Sequence, residues 1–145
     1  MRVMTFTLAA IMLAMGGAAQ AQPPERLGAL IPGRPFAPAV RAGDTLYLSG
    51  QIGTAADGSL PPEFEAQARN VMENVGKVAA LGGATMDDLV KCTVMLADMK
   101  LWPKFNAIYA GYFKPDRLPA RSAFGTNGLA LGAAVEVECI AYKPR

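Results

Sequence analysis

The chain reads as an α+β domain of order β-β-α-β-α-β-β with both helices on one face of the sheet. Three observations predict it. Thr45–Ile52 and Val90–Ala97 alternate apolar and polar residues with the period of a strand. Phe64, Ala68, Val71, Val75 and Val78 recur at helical spacing, as do Trp102, Phe105, Ile108, Tyr109 and Tyr112. The chain then closes on two further apolar stretches, 120–124 and 135–141. Elements in this order give one sheet with two helices packed on it.

The start of the chain stands apart. Met1-Arg2 is a short positive start, Val3–Met15 is mostly apolar, and Ala19-Gln20-Ala21 is an A-x-A cleavage signal. Residues 1–21 therefore read as a signal peptide and 22–145 as one domain. The alternative is a retained N-terminal anchor, but the apolar run is short for a membrane span. The expected location is the periplasm or the outside, with no stable membrane association after cleavage.

In order, Gln22–Pro38 is a Pro-, Gly- and Arg-rich lead-in, and Phe36–Arg41 forms a first strand. Ala42-Gly43-Asp44 is a turn. In Thr45–Ile52, Leu46, Leu48 and Ile52 point one way and Tyr47, Ser49 and Gln51 the other. Gly50 inside that strand marks a bulge or a close approach. Pro61-Pro62 opens a helix to about Leu81, which Gly82-Gly83 stops. Thr85–Asp88 fits a short capped turn. In the next strand Cys92, Val94 and Leu96 share one face, opposite Thr93 and Met95. Asp98 caps a second helix that runs to about Phe113, with Pro103 in its first turn. Its aromatic stripe reads as core rather than a cofactor box. Arg121 opens an antiparallel hairpin through the small-residue loop Gly128–Gly132 to Val135–Ala141.

Two helices cover one sheet face. The other carries Tyr47, Ser49, Met95, Glu136 and Ile140, too apolar for bare solvent and too polar for a dry core. That pattern suggests a homo-oligomer sharing a partly polar interior.

Composition removes several chemistries. The sequence contains no histidine, which excludes Ser-His-Asp and Cys-His triads, HExxH zinc sites and the zinc deaminase signature. No metal site is expected. The net charge of +2 falls by one when Arg2 is removed, and no Lys/Arg run or aromatic–basic stripe asks for nucleic acid. Cys92 and Cys139 are the two cysteines. An exported chain allows them to oxidise, but two small buried hydrophobes is the simpler reading.

Arg121 is a fixed, planar cation suited to gripping a carboxylate. Glu136 or Glu138 is placed to take a proton from water. Together they suit hydration of a small acid with an electrophilic carbon. The same residues also fit an ordinary cross-strand ion pair, Arg121 opposite Glu138. The spacing does not fix which glutamate faces a cleft, because a one-residue slip turns every side chain over.

Longer matches point to a family. Leu48-Ser49-Gly50-Gln51-Ile52, Gln67-Ala68-Arg69 with Asn74-Val75, Lys91–Val94, Asn106-Ala107-Ile108-Tyr109, Pro119-Ala120-Arg121-Ser122 and Val135–Glu138 with Ile140-Ala141 resemble the RidA/YjgF family of reactive enamine/imine deaminases. The resemblance covers nearly all of residues 22–145. It implies a chorismate-mutase-like fold with a mixed sheet, and a homotrimer with sites between subunits. It also implies hydrolysis of 2-imino or 2-enamino acids to 2-keto acids and ammonia, without a cofactor. Arg121 matches the arginine that binds the substrate carboxylate and Glu136 the glutamate that orients or activates water. Gly50 and Asn106 match cleft-lining positions. Three departures stand out: Phe36 in place of a tyrosine, Ala123 in place of a cysteine, and Thr126-Asn127-Gly128 in place of a charged stretch. The alternative is a non-catalytic member that binds a small carboxylate in the same cleft. Ribonuclease activity, assigned to some members, is disfavoured by the missing histidine and basic stripe.

Overall fold

The computed structural model describes residues 22–145; the expected leader, 1–21, lies outside the described residues. The elements are β1 (Glu25–Leu27), β2 (Ala39–Ala42), β3 (Thr45–Ile52), α1 (Phe64–Ala80), β4 (Leu89–Leu96), α2 (Trp102–Ala110), β5 (Ala120–Gly125) and β6 (Val135–Tyr142). They form one mixed six-stranded sheet in the order β1-β2-β3-β6-β4-β5, with β5 parallel to β4 and all other pairs antiparallel. The α+β class and element order hold, with the short strand β1 added inside the expected lead-in.

The core lies between the sheet and the helices. Leu46, Leu48, Cys92, Val94, Leu96, Val135, Val137, Cys139 and Ala141 face α1, whose Ala68, Val71, Met72, Val75 and Ala79 are buried against them. Each fully buried Val or Leu contributes roughly 1.5–3 kcal/mol. The α1 stripe ends where expected, because Gly83 takes a positive φ of 72° just past the helix. Asp88 accepts from the Thr85 backbone N–H at 2.7 Å and from the Thr85 hydroxyl at 2.9 Å, closing the turn before β4. Asp98 accepts from Lys100 N at 2.9 Å and starts a short 3₁₀ turn that leads into α2. The helix ends at Ala110 rather than Phe113, since the last amides bond three residues back, Tyr112 N to Tyr109 O and Phe113 N to Ala110 O.

Three expectations are corrected. First, Arg121 does not open a hairpin. β6 lies between β3 and β4, and β5 pairs in parallel with β4 through the α2 crossover. A parallel pair requires such a helical connection, and the sequence supplies one. Second, Cys92 and Cys139 are directly opposed across β4 and β6, with Cα atoms 4.1 Å apart, and are joined in a disulfide. Third, Ile52 does not share a face with Leu46 and Leu48. One extra residue at Ser49-Gly50 shifts the register, so that Leu48 opposes Cys139 but Gln51 opposes Val137 and Ile52 opposes Glu136. The bulge expected at Gly50 is therefore present, and it turns the end of β3 over.

One feature has no counterpart in the sequence reading. Arg41 is buried on β2, and its guanidinium donates to Gly82 O at 2.6 Å, just past α1, and to Lys143 O at 2.8 Å. The charge sits against carbonyls at a helix C-terminus, where a cation is favoured.

Candidate functional site

β5 sets the position of Arg121. In the parallel register Arg121 opposes Cys92 and Ala123 opposes Val94, so both side chains stand on the helix face. There the Arg121 guanidinium meets one row of α2. Its Cζ lies 5.0 Å from the Trp102 ring centre and 4.6 Å from that of Tyr109. Its Nη2 donates to Asn106 Oδ1 at 2.6 Å. Trp102, Asn106 and Tyr109 are spaced i, i+4, i+7, which is one helix face. Among the described residues no carboxylate pairs with Arg121. The cross-strand ion pair with Glu138 is thus ruled out: β4 separates the two strands, and Glu138 opposes Thr93 on the other face. Arg121, Asn106, Tyr109, Ala110, Leu118 and Pro119 line a cleft of about 360 Å³. An unpaired guanidinium held between two rings, with one nitrogen committed to an amide, offers its remaining donors to an anion.

Glu136 stands on the opposite, uncovered face. It opposes Ile52 on β3 and Met95 on β4. Its carboxylate lies over Gly50, where a Cβ would overlap Oε1. Burial raises the Glu136 pKa above the usual carboxylate value, and the neighbouring Glu138 charge raises it further. Glu138 points the same way but is exposed, so Glu136 is the glutamate enclosed by the bulge. Ser49 donates to Ala37 O at 2.7 Å from its hydroxyl and to Pro38 O at 3.0 Å from its amide. The segment carrying the half-exposed Phe36 therefore runs beside that bulge.

The site residues expected from sequence thus fall into two groups. Arg121, Asn106 and Ala123 lie under α2; Gly50, Glu136 and the Phe36 segment lie at the β3 bulge. One small molecule cannot touch Arg121 and Glu136 of the same chain through the sheet. Other matching residues are structural. Gln67 donates to Pro61 O at 2.7 Å and accepts from Ala134 N at 2.9 Å. Asn74 donates to Ile52 O at 3.1 Å and Thr54 O at 3.0 Å, holding the chain just past the bulge. Gly53 lets α1 approach, since a Cβ there would overlap the Gln67 backbone.

The helical spacing of Trp102 and Tyr109 predicts core residues. Tyr109 is buried, its hydroxyl has no partner among the described residues, and burial raises its pKa to about 12, an effect that the Arg121 charge opposes. Trp102 is only half-buried. The sequence signal was Asn106, a polar residue in the middle of their row. Among the described residues no group of three His, Cys, Asp or Glu is placed to hold a metal ion, and no helix is long and apolar enough to cross a membrane.

Residues 27–143 match the family model described as Endoribonuclease L-PSP. Over 111 residues the chain is 38% identical to the 2-iminobutanoate/2-iminopropanoate deaminase of Mus musculus, covering 75% of this chain and 82% of that one. It is 38% identical over 109 residues to Reactive Intermediate Deaminase A, chloroplastic, of Arabidopsis thaliana, covering 74% of this chain but only 58% of the plant protein. Among solved structures, yeast Mmf1 superposes with a TM-score of 0.77 at 31% identity, over 83% of this chain and 99% of that one.

Proposed function

Since the chain belongs to the endoribonuclease L-PSP family, also called RidA/YjgF, we propose that it hydrolyses reactive 2-imino and 2-enamino acids to 2-keto acids and ammonia. The observation that carries this reading is Arg121: a clamped guanidinium with no carboxylate partner among the described residues, facing a cleft. The substrate carboxylate takes the donors that Asn106 leaves free. The working site is formed between copies of the chain in a homotrimer, with Arg121 from one subunit and Glu136 from its neighbour. Two facts support that assembly: the uncovered sheet face, and the placement of the two groups on opposite sides of one sheet.

In the proposed reaction an enamine first tautomerises to its imine. Glu136 accepts a proton from water as the water oxygen bonds to C2 and passes it to the imine nitrogen, which becomes an amine on a tetrahedral carbon. That carbon then expels ammonia and forms the ketone, with the second proton also passing through Glu136 to the departing nitrogen. The carboxylate is restored and no cofactor is consumed. Partial burial suits Glu136 to this work, because a carboxylate with a raised pKa is a stronger base. The rest is positioning of an already electrophilic carbon.

The test generates an imino acid in situ with an amino acid oxidase and traps what remains with semicarbazide. Wild type should clear imine faster than buffer, and Arg121→Ala should lose at least about a hundredfold in kcat/KM, as expected for a lost positioning contact. It should keep its fold, since Arg121 has no acidic partner to leave unpaired. Wild type no faster than buffer, but stabilised by 2-keto acids, would favour the carboxylate-binding alternative. Ribonuclease chemistry is not proposed, as the chain has no histidine and no basic run.

We also propose export, to the periplasm or beyond. The leader-like residues 1–21 support it, and so does the Cys92–Cys139 disulfide, a bond kept in oxidising compartments. A mature protein beginning at Gln22 by mass spectrometry is the expected result.

A further inference from the structure

Asn127-Gly128 differs from every other asparagine step in the chain. The asparagines are Asn70, Asn74, Asn106 and Asn127. Asn70 and Asn74 lie within α1 and Asn106 within α2, so the backbone amide that follows each is committed to its helix. Their side chains are held too. Asn70 donates to Gly53 O at 3.3 Å, Asn74 donates to Ile52 O and Thr54 O, and Asn106 accepts from Arg121. Asn127 instead lies in the loop between β5 and β6. It and Gly128 are exposed, and among the described residues neither the Asn127 side chain nor the Gly128 N–H has a hydrogen-bond partner. Gly128 takes a φ of 148°, which favours glycine, and even a Cβ there would meet no atom within 4 Å. Its nitrogen is therefore uncommitted and uncrowded, beside a free amide. The sequence has one other pair of this kind, Asp57-Gly58, and it is held. Asp57 accepts from the Ser59 N–H at 2.9 Å and the Ser59 hydroxyl at 2.6 Å, and the Gly58 N–H donates to Ala55 O at 3.0 Å.

We propose that Asn127 is a site of spontaneous modification, where the Gly128 nitrogen closes a succinimide and water opens it to aspartate and isoaspartate. The Gly128 nitrogen attacks Asn127 Cγ and gives up its proton. The new C–N bond replaces the Cγ–Nδ2 bond, and Nδ2 leaves as ammonia. Water then adds to one of the two ring carbonyls, that carbon releases the ring nitrogen, and a proton returns to the nitrogen. Opening at Cγ gives aspartate; opening at the main-chain carbonyl gives isoaspartate, whose backbone runs through Cβ and Cγ. Water is the only co-reactant. Asparagine is a thermolabile residue for this reason, and the folded chain protects the other three. The loop is tied on both sides, by Thr126 N–H to Leu96 O at 2.9 Å and by Ala134 N–H to Gln67 Oε1 at 2.9 Å. The lengthened backbone of isoaspartate is taken up between those ties, so the sheet is kept. Either product adds one negative charge, which lowers the formal net charge of the chain from +2 to +1. The site is independent of the reaction proposed above.

The experiment holds the folded, assembled protein at mildly alkaline pH beside Asn127→Gln and a free peptide of residues 122–145, until the peptide has fully converted. Wild type should move by one charge per chain toward the acidic end on isoelectric focusing, with an unchanged circular dichroism spectrum. Asn127→Gln should stay in place, because glutamine must close a larger ring. Trypsin cuts after Arg121, and residues 122–145 contain no side-chain amide besides Asn127. After reduction, the mass gain of amide-to-acid exchange should map to that peptide, and an isoaspartyl methyltransferase should label it. Wild type that keeps its position once the free peptide has converted overturns the inference, since the folded loop then protects the step. An acidic shift that Asn127→Gln shares, or one that maps first to Asn70, Asn74 or Asn106, overturns it as well.

Discussion

Gly50 and Glu136 constrain one another across the β3–β6 pair. The absence of a side chain at Gly50 is what lets the Glu136 carboxylate lie over the bulge, half out of water. The Glu136 pKa is raised first by burial and then by Glu138, so the proton leaves at a higher pH in the folded protein than in the unfolded chain. If the deprotonated form is the working base, turnover rises with pH through that raised value. The acid limb of the kcat profile should therefore lie above the ordinary glutamate range. Glu136→Gln should abolish the limb along with most of the activity. The sign for stability is the reverse: a raised acid favours the fold below its unfolded pKa and costs it as the pH climbs through the folded value. Glu136→Gln should then melt slightly higher than wild type at neutral pH. Gly50→Ala should push the carboxylate aside and return the limb toward the ordinary range, read from the same profile. At this scale the sequence marks Arg121, Glu136 and Gly50 as candidates, because charge and missing side chain are visible as letters, and Asn106 only through the family resemblance. It hid Trp102 and Tyr109, because an aromatic at helical spacing looks the same whether it packs on leucine or on a guanidinium.

Strands and helices were legible where one periodicity ran unbroken. β3 and β4 fall within one residue of their expected bounds, and α1 buries the stripe its spacing marked. Strand neighbours were harder to read. The loop between β5 and β6 suggested a hairpin, yet β6 buries Val135, Val137, Cys139 and Ala141 and takes the centre of the sheet. Adjacency in sequence is a preference, and here the α2 crossover outweighed it. The consequence is chemical, because only the central position of β6 brings Cys139 opposite Cys92. That disulfide joins β4 to β6 over a separation of 47 residues, and chain-entropy reasoning values such a cross-link at roughly 2–4 kcal/mol. Cys92→Ala with Cys139→Ala should lower the unfolding free energy by that much, seen as a lower denaturant midpoint, without changing element content by circular dichroism. Both cysteines are buried, so reductant should act only as the protein opens, and wild type should resist mild reduction while folded. Equal midpoints for wild type and the double variant would mean that the bond adds nothing to the fold.

The whole molecule divides its chemistry between the two faces of one sheet. Arg121 with its aromatic clamp lies on the helix face, and Glu136 with its glycine lies on the bare face. On the proposed reading, a subunit alone holds two incomplete halves. A closed head-to-tail ring would join the half of each subunit to the opposite half of the next, and a ring satisfies every half only when it closes. That arrangement predicts complementation. Arg121→Ala trimers and Glu136→Gln trimers should each be inactive. When the two chains are co-expressed in equal amounts, a site works if its arginine comes from a Glu136→Gln subunit and its glutamate from an Arg121→Ala neighbour. Random assembly gives that pairing at about one site in four, so the mixture should recover about a quarter of wild-type activity per site. Imine clearance by the purified mixture, with light scattering to confirm the trimer, reads this directly. A mixture as inactive as its parents would place both groups in one subunit's site, which the sheet between them forbids, or would remove Glu136 from the reaction. Recovery would show that the bare sheet face is half of an active site and not merely a surface for packing.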